Sequence, residues 1–470
     1  MKKITLWLTA ALLTVAAGGC NTFLDPAPTD RQPGENFLTV SNNVEAVLVS
    51  AYDPLQSGGF YGGQVQRVGA LYGDDFDLSS VASQQFVSDF VTRQFGIFNG
   101  PGTNLWASGY TAIFRANVVI KAVDDNSAPA ALAADNTRRK GEALFIRALA
   151  HFELLRFFAL PYTASPDKPG IVLRITPANT QEASQPQARA SVGEVYAQVI
   201  ADLQQAIQLL PAASTPGRAN KVAARGILAR VYFNQADYTN AFTAADQAIA
   251  AATAASIALS TPDSAGVVGP FRTVGAVPTP GTLFQIVNLV SDDASGDVRN
   301  IFYSSYGPPT LPALTTPGSS YALFEAGDVR QRYLFGTDPG DPASLIPNSL
   351  KFQGGDPVNV PVIRLPELYL TRAEARVQKG SFTPADVRAD LNAVRTAAGL
   401  PANTTAASSA DLLTAIRKER RVELLTENDR FHELRRLRSA NIRGRAYDDS
   451  SALLKIPASE TSANTLIVQN

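Results

Sequence analysis

"QADYTNA" at 235–241 aligns without gaps on "KGSFTPA" at 379–385, pairing Ala236 with Gly380, Tyr238 with Phe382 and Ala241 with Ala385. Around the first copy, Leu228, Ala229 and Tyr232 precede and Ala245 and Ala248 follow, spacings that set small and large apolar residues on facing sides of two helices. Small residues at such places let helix backbones approach closely. "LYLTRAEARVQKGSFTPADVRADLNAVR" at 368–395 reads the same way. "GEALFIRALAHFELLRFF" at 141–158 with "SVGEVYAQVIADLQQAIQLLP" at 191–211 reads as a third unit whose helices are split by a long loop, and "NNVEAVLVSAYDPL" at 42–55 begins a fourth. The chain is therefore expected to be mainly α.

The pattern resembles a tetratricopeptide repeat, a helix-turn-helix unit of about 34 residues that buries its apolar face only by stacking on neighbours. Glycine and proline are sparse in 105–160, 190–260 and 364–440 and crowd 261–361, so helical blocks alternate with a loop-rich insert. The expected organisation is a scaffold of tetratricopeptide-like units near 42–60, 141–211, 221–252 and 364–396, a C-terminal helical region at 411–440, and an irregular ligand-binding region laid on them. With 45% hydrophobic residues, the chain can bury a large core as a single domain from 20 to 470.

Charge narrows the function. Lys plus Arg number 41 and Asp plus Glu 42; without Lys2 and Lys3 the balance is 39 against 42, which suggests no nucleic-acid partner. The single cysteine, Cys20, can make neither an intramolecular disulfide nor a metal site by itself. Before it stand Lys2 and Lys3, an uncharged apolar run from Ile4 to Ala17, and the small residues Ala17-Gly18-Gly19, a secretory layout too short to span a bilayer. It resembles a bacterial lipoprotein leader over 1–19, in which Cys20 is lipidated and becomes the first mature residue. Several acyl chains then anchor the protein to a membrane surface, each buried CH2 adding about 0.8 kcal/mol.

Longer motifs carry a second resemblance. "VIRLPELYLTRAEARVQKG", "DLNAVRTAAGL" and "LLTAIRKERRVELLTENDRFHELRRLR" resemble the C-terminal half of the SusD/RagB family. "GEALFIRALAHFELLRFFALPY", "WASGYTAIFRANVVI" and "FLDPAPT" resemble its N-terminal half. The resemblance implies a surface lipoprotein of an outer membrane, facing the exterior, that captures nutrients, often oligosaccharides. It also implies a partner, the SusC-like TonB-dependent transporter on which such proteins form a lid. It implies binding and not catalysis, without a cofactor.

Within 411–438, Ile416, Glu419, Arg420, Glu423, Leu424 and Glu427 recur at three- and four-residue steps and mix charged with apolar groups on one helical stripe. A mixed stripe points to Arg and Glu forks partly buried between helices, with Arg420 and Glu423 paired; Arg364, Glu367 and Glu374 invite the same account, the alternative being a ligand-reading carboxylate cluster. An enzyme reading finds little. His151 and His432, the two histidines, lie in helical segments, no serine occupies a nucleophile elbow, and no histidine pair has metal spacing. Asp74-Asp75 and Asp292-Asp293 read as loop or turn residues before they read as a glycosidase pair, and Asp292, Asp293 and Asp297 lack the alternating spacing of a calcium loop.

Sugars lay apolar faces on aromatic rings and hydroxyls on carboxylates, amides and arginine. Trp106 shares a four-three-four-three spacing with Tyr110, Ile113, Asn117 and Ile120, which lays it on the apolar stripe of a helix and assigns it to the core. The ligand candidates are then loop residues in "GGFYGG" (58–63), "ALYGDDFD" (70–77) and "RNIFYSSYGPP" (299–309): Tyr61, Tyr72, Asp74, Asp75, Tyr303 and Tyr306, each a ligand contact or else a buried loop anchor. Peptide is the alternative ligand. A helical-repeat adhesion or assembly protein without a small ligand is the alternative function.

Overall fold

The computed structural model describes residues 38, 41–75, 89–90, 96–125, 133–177, 185–260, 271, 275, 277–293, 298, 320–331, 336–338, 341–346, 351–352, 357–380 and 382–470. Cys20, Asp297, Tyr303 and Tyr306 lie outside them. The first helices are α1 (Ser41–Gln56), α2 (Gln64–Tyr72), α3 (Gly100–Asp124), α4 (Ala133–Phe158), α5 (Val192–Leu209), α6 (Lys221–Asn234) and α7 (Tyr238–Ala254). After short strands come α8 (Leu365–Gln378), α9 (Pro384–Ala397), α10 (Ser409–Glu423), α11 (Arg430–Arg436) and α12 (Ala458–Ala463). The structure is mainly α, as the spacing predicts.

The helices stack as the repeat requires. α1 packs on α3, α3 on α4, α4 on α5, α5 on α6, α6 on α7, α7 on α8, and α8 on both α9 and α10. Close approach is visible at Gly109 of α3, where a Cβ would lie 2.8 Å from the Leu154 side chain of α4. In the first copy Ala229, Ala241, Ala245 and Ala248 are all fully buried. The aligned Ala236 and Gly380 close the turns with φ of 60° and 78°, so both copies use a left-handed residue to leave the first helix.

The copies diverge immediately afterwards. Asp237 caps α7 through the Asn240 N–H, whereas the second copy delays its helix to Pro384, capped by Thr383 at the Asp386 N–H. A proline tolerated at the first helical position sets that start. Consequently Ala385 is exposed, while Val387 is the buried fourth residue of α9 and matches the buried Ala241 of α7. The gapless pairing of Ala241 with Ala385 is corrected to this register.

The predicted insert also contains strands that its turn-rich composition conceals. β1 (Thr282–Ile286) pairs antiparallel with β4 (Val360–Arg364), setting Thr282 opposite Arg364 and Ile286 opposite Val360. β2 (Gly336–Asp338) and β3 (Asp341–Ile346) form a second antiparallel pair. All five β4 residues are buried, which places Arg364, its last, in the interior at the entrance to α8.

Candidate functional site

The stripe of α10 faces inward and its charges meet opposite charges from other elements. Arg364 donates through Nη1 to Glu423 at 2.7 Å and through Nε and Nη2 to Glu427 at 2.7 and 2.6 Å. Burial pushes the Glu423 carboxyl up, but Arg364, Arg330 and Lys351 overcome this and hold it down to about 2. Arg420, 1% exposed, grips Asp429 with two bonds of 2.8 and 2.5 Å and donates to the Thr371 hydroxyl at 3.0 Å. Arg420 and Glu423 are thus both buried and paired, but not with each other; a three-residue step along α10 sends them to different partners. Glu367 accepts from Arg230, Glu374 from Arg417 and Arg436, and Glu419 lies 2.7 Å from Arg330.

The histidines are structural as well. His151 is fully buried, and burial followed by the neighbouring Arg147 charge lowers its pKa to about 3. His432 is pushed well below its ordinary value by burial and by Arg156, Arg435 and Arg230. Both rings are buried and stay neutral in neutral solution. Asp292 closes a turn by exchanging backbone hydrogen bonds with Leu289.

The ligand candidates fare unevenly. Trp106 is core, 2% exposed, edge-on to Phe158 at 4.9 Å. Tyr61 is 3% exposed and its hydroxyl donates to Glu153 at 2.8 Å, while Tyr72 is fully buried and stacks on Phe431 at 4.6 Å. Neither ring has a face for a sugar, so both are corrected to buried anchors: Tyr61 in the turn before α2 is covered by α4, and Tyr72, the last residue of α2, is covered by α11. Asp75 accepts from Arg421 Nε at 2.9 Å, and Asp74 accepts from Arg430 Nε at 2.6 Å. Burial raises the Asp74 pKa, and the Arg430 guanidinium then lowers it below the usual value; its side chain remains 36% exposed. Together they clamp the end of α2 to α10 and α11.

Of the predicted ligand stretch 70–77, Asp74 and Asp75 follow the C-terminal end of α2, and Val298, the residue before the stretch 299–309, donates its N–H to Gly62 O at 2.8 Å near the N-terminal end of α2; residues 76–77 and 299–309 lie outside the described residues. Among the described residues a roomy cavity lies elsewhere. It is an open groove of about 660 Å³, lined by residues including Thr215, Arg218, Ile257, Leu259, Thr282 and Phe284. Its charged lining residue, Arg218, is held by Glu45 and Glu142 at 2.7 and 2.6 Å. The proline and glycine of "STPGRAN" and "VPTPGTL" are the signals that could have located it, because such turns leave space between helix ends.

Comparison with known proteins fits this architecture. Residues 22–233 match a SusD-like family described as "Starch-binding associating with outer membrane", and residues 349–462 match the SusD family. A SusD superfamily protein of Bacteroides vulgatus superposes with a TM-score of 0.80 at 25% identity, over 92% of this chain and 98% of that one. A laminarin-binding SusD-like protein shares the fold, with a TM-score of 0.70 at 24% identity over 91% and 98% of the two chains. A SusD-like protein of Bacteroides ovatus is 28% identical over 241 residues, 51% of this chain and 41% of the relative. The chain matches less than half the length of such curated relatives. With both halves matched in order on one shared fold, the chain belongs to the SusD/RagB family.

Proposed function

We propose that this protein is a non-catalytic lipoprotein that captures oligosaccharide at the outer face of an outer membrane and acts as the lid of a SusC-like TonB-dependent transporter. The observation that carries the reading is the family, whose N-terminal profile is described as starch-binding in association with the outer membrane. A laminarin-binding protein on the same fold favours a glycan over a peptide. The employment of the stripe charges and both histidines inside the scaffold supports binding without catalysis. We assign the ligand contacts to Tyr303 and Tyr306, with Asp74 as the partly exposed carboxylate beside the scaffold. Cys20 is the lipid tether, and no helix among the described residues is long and apolar enough to cross a membrane.

Calorimetric titration of wild type against glycans and peptides tests the ligand class. Tyr303→Ala and Tyr306→Ala should weaken glycan binding, while Trp106→Phe lowers stability and leaves affinity near wild type. Lost affinity in a folded Trp106→Phe variant with both tyrosine variants unchanged would reverse the assignment. Peptide binding without glycan binding would replace the ligand and keep the lid. Failure to co-purify with a large barrel would favour the adhesion or assembly reading.

A further inference from the structure

The scaffold contains two small chambers of different character, the first mainly polar and the second walled by Leu155, Ala159, Leu160 and Pro161 as well as by polar groups. Each has room for one small guest, about 20 Å³. The first is lined by Glu153, Glu367, Glu427 and Asp429 as well as Arg156 and Arg230, a mixture that suits a neutral water. The second lies between the ends of α4 and α6, α5, and α11. Its polar lining is Arg156, Tyr196, Asn234, His432, Arg435 and Arg436, without a carboxylate.

The acids that neutralise these arginines bind them on other atoms. Glu153 accepts from Arg156 Nη2, and Glu374 accepts from Arg436 Nη1 at 3.0 Å. Arg156 Nε and Arg436 Nη2 are buried N–H groups without a protein acceptor, on residues 7% and 4% exposed overall. Arg435 directs Nη1 and Nη2 to the carbonyls of Arg156 and Ala159 at 2.6 and 2.7 Å. Glu433 of α11 also stands in this charged neighbourhood, but it is not part of the chamber wall. The wall therefore offers N–H donors from cations and a tyrosine hydroxyl. A buried charge-assisted donor left unmet is costly, and a guest that accepts from several at once removes that cost.

We propose that this chamber is a binding site for one monatomic anion of the chloride class, held by Arg156 Nε and Arg436 Nη2. A neutral water could meet both donors, but it would bring two protons of its own into a wall whose charged groups are all cationic. Phosphate and carboxylates exceed the space. The anion would join α4, from the N-terminal half of the chain, to α11, from the C-terminal half.

Bromide, which scatters anomalously, tests the site directly. Crystals of the mature protein grown in 100 mM sodium bromide should show an anomalous peak in the chamber, within hydrogen-bond reach of both named nitrogens. In solution, chloride should raise the melting temperature above that in gluconate at equal ionic strength, in a saturable way. Tyr196→Phe, which removes a lining hydroxyl and keeps the ring, should shrink that increment, and Ala159→Leu, which fills the chamber, should abolish it. Coincident chloride and gluconate curves would overturn the proposal, as would an increment unchanged in a folded Ala159→Leu. A bromide peak seen only at molar concentration would mark an adventitious ion only. Should Ala159→Leu not fold, the bromide map and Tyr196→Phe decide the question.

Discussion

Replacing Arg420 with alanine removes the most enclosed fork in the α10 stripe. The side chain is 2% exposed; its loss leaves Asp429 without the two bonds of 2.8 and 2.5 Å and Thr371 without its donor, and uncovers the Phe233 ring beneath the guanidinium at 4.9 Å. Removing one partner of a buried pair costs about 3–5 kcal/mol, against about 0–1 for an exposed one. Asp429 retains 17% side-chain exposure and can recover some hydration, which places the expected loss near the lower end, about 3 kcal/mol. Arg420→Lys keeps the charge and loses the planar fork, so it should lose about half as much. Urea denaturation of wild type, both variants and Asp429→Asn would provide the free energies, and the Arg420→Ala/Asp429→Asn cycle should be non-additive by about 1 kcal/mol or more. A midpoint for Arg420→Ala indistinguishable from wild type, or strict additivity, would refute the buried-pair argument. Glycan affinity should change little in any variant that folds.

Three further outcomes are expected. His151 has a folded pKa of about 3 against an ordinary 6.5, so the unfolded chain binds the extra proton first and stability falls as pH drops below 6.5, by about 2 kcal/mol at pH 5 from this group alone; a His151→Phe variant should lose less stability over that interval, and an unchanged slope would refute the assignment. Ala236 holds φ of 60°, so Ala236→Gly should stabilise by about 0.5–1 kcal/mol and Gly380→Ala should destabilise comparably, both read from denaturation midpoints. Cys20→Ser should leave the melting temperature intact and move the protein from membrane to soluble fractions, and continued membrane retention with no transporter present would count against lipidation.

The helical scaffold was legible in residue order because its signals are local. Small and large apolar residues at helical spacing around 228–248 and 368–395 specify which faces must be covered, and Trp106 declared its burial through the stripe it shares with Tyr110, Ile113 and Ile120. That the charges of α10 would be structural was legible for the same reason, since charges interleaved with apolar residues on one stripe cannot all be solvated. Partner choice was not. Arg420 meets Asp429 and Arg364 meets Glu423 and Glu427 only after β4, α8, α10 and α11 have crossed at particular angles, and spacing along one helix carries no information about those angles. Tyr61 and Tyr72 show the same limit from the other side. Their glycine-rich surroundings permit exposed turns, but burial belongs to whatever packs above, and here that is Glu153 of α4 and Phe431 of α11, residues 92 and more positions away in the chain. Periodicity records which surface an element needs to hide; only the assembled molecule decides what hides it.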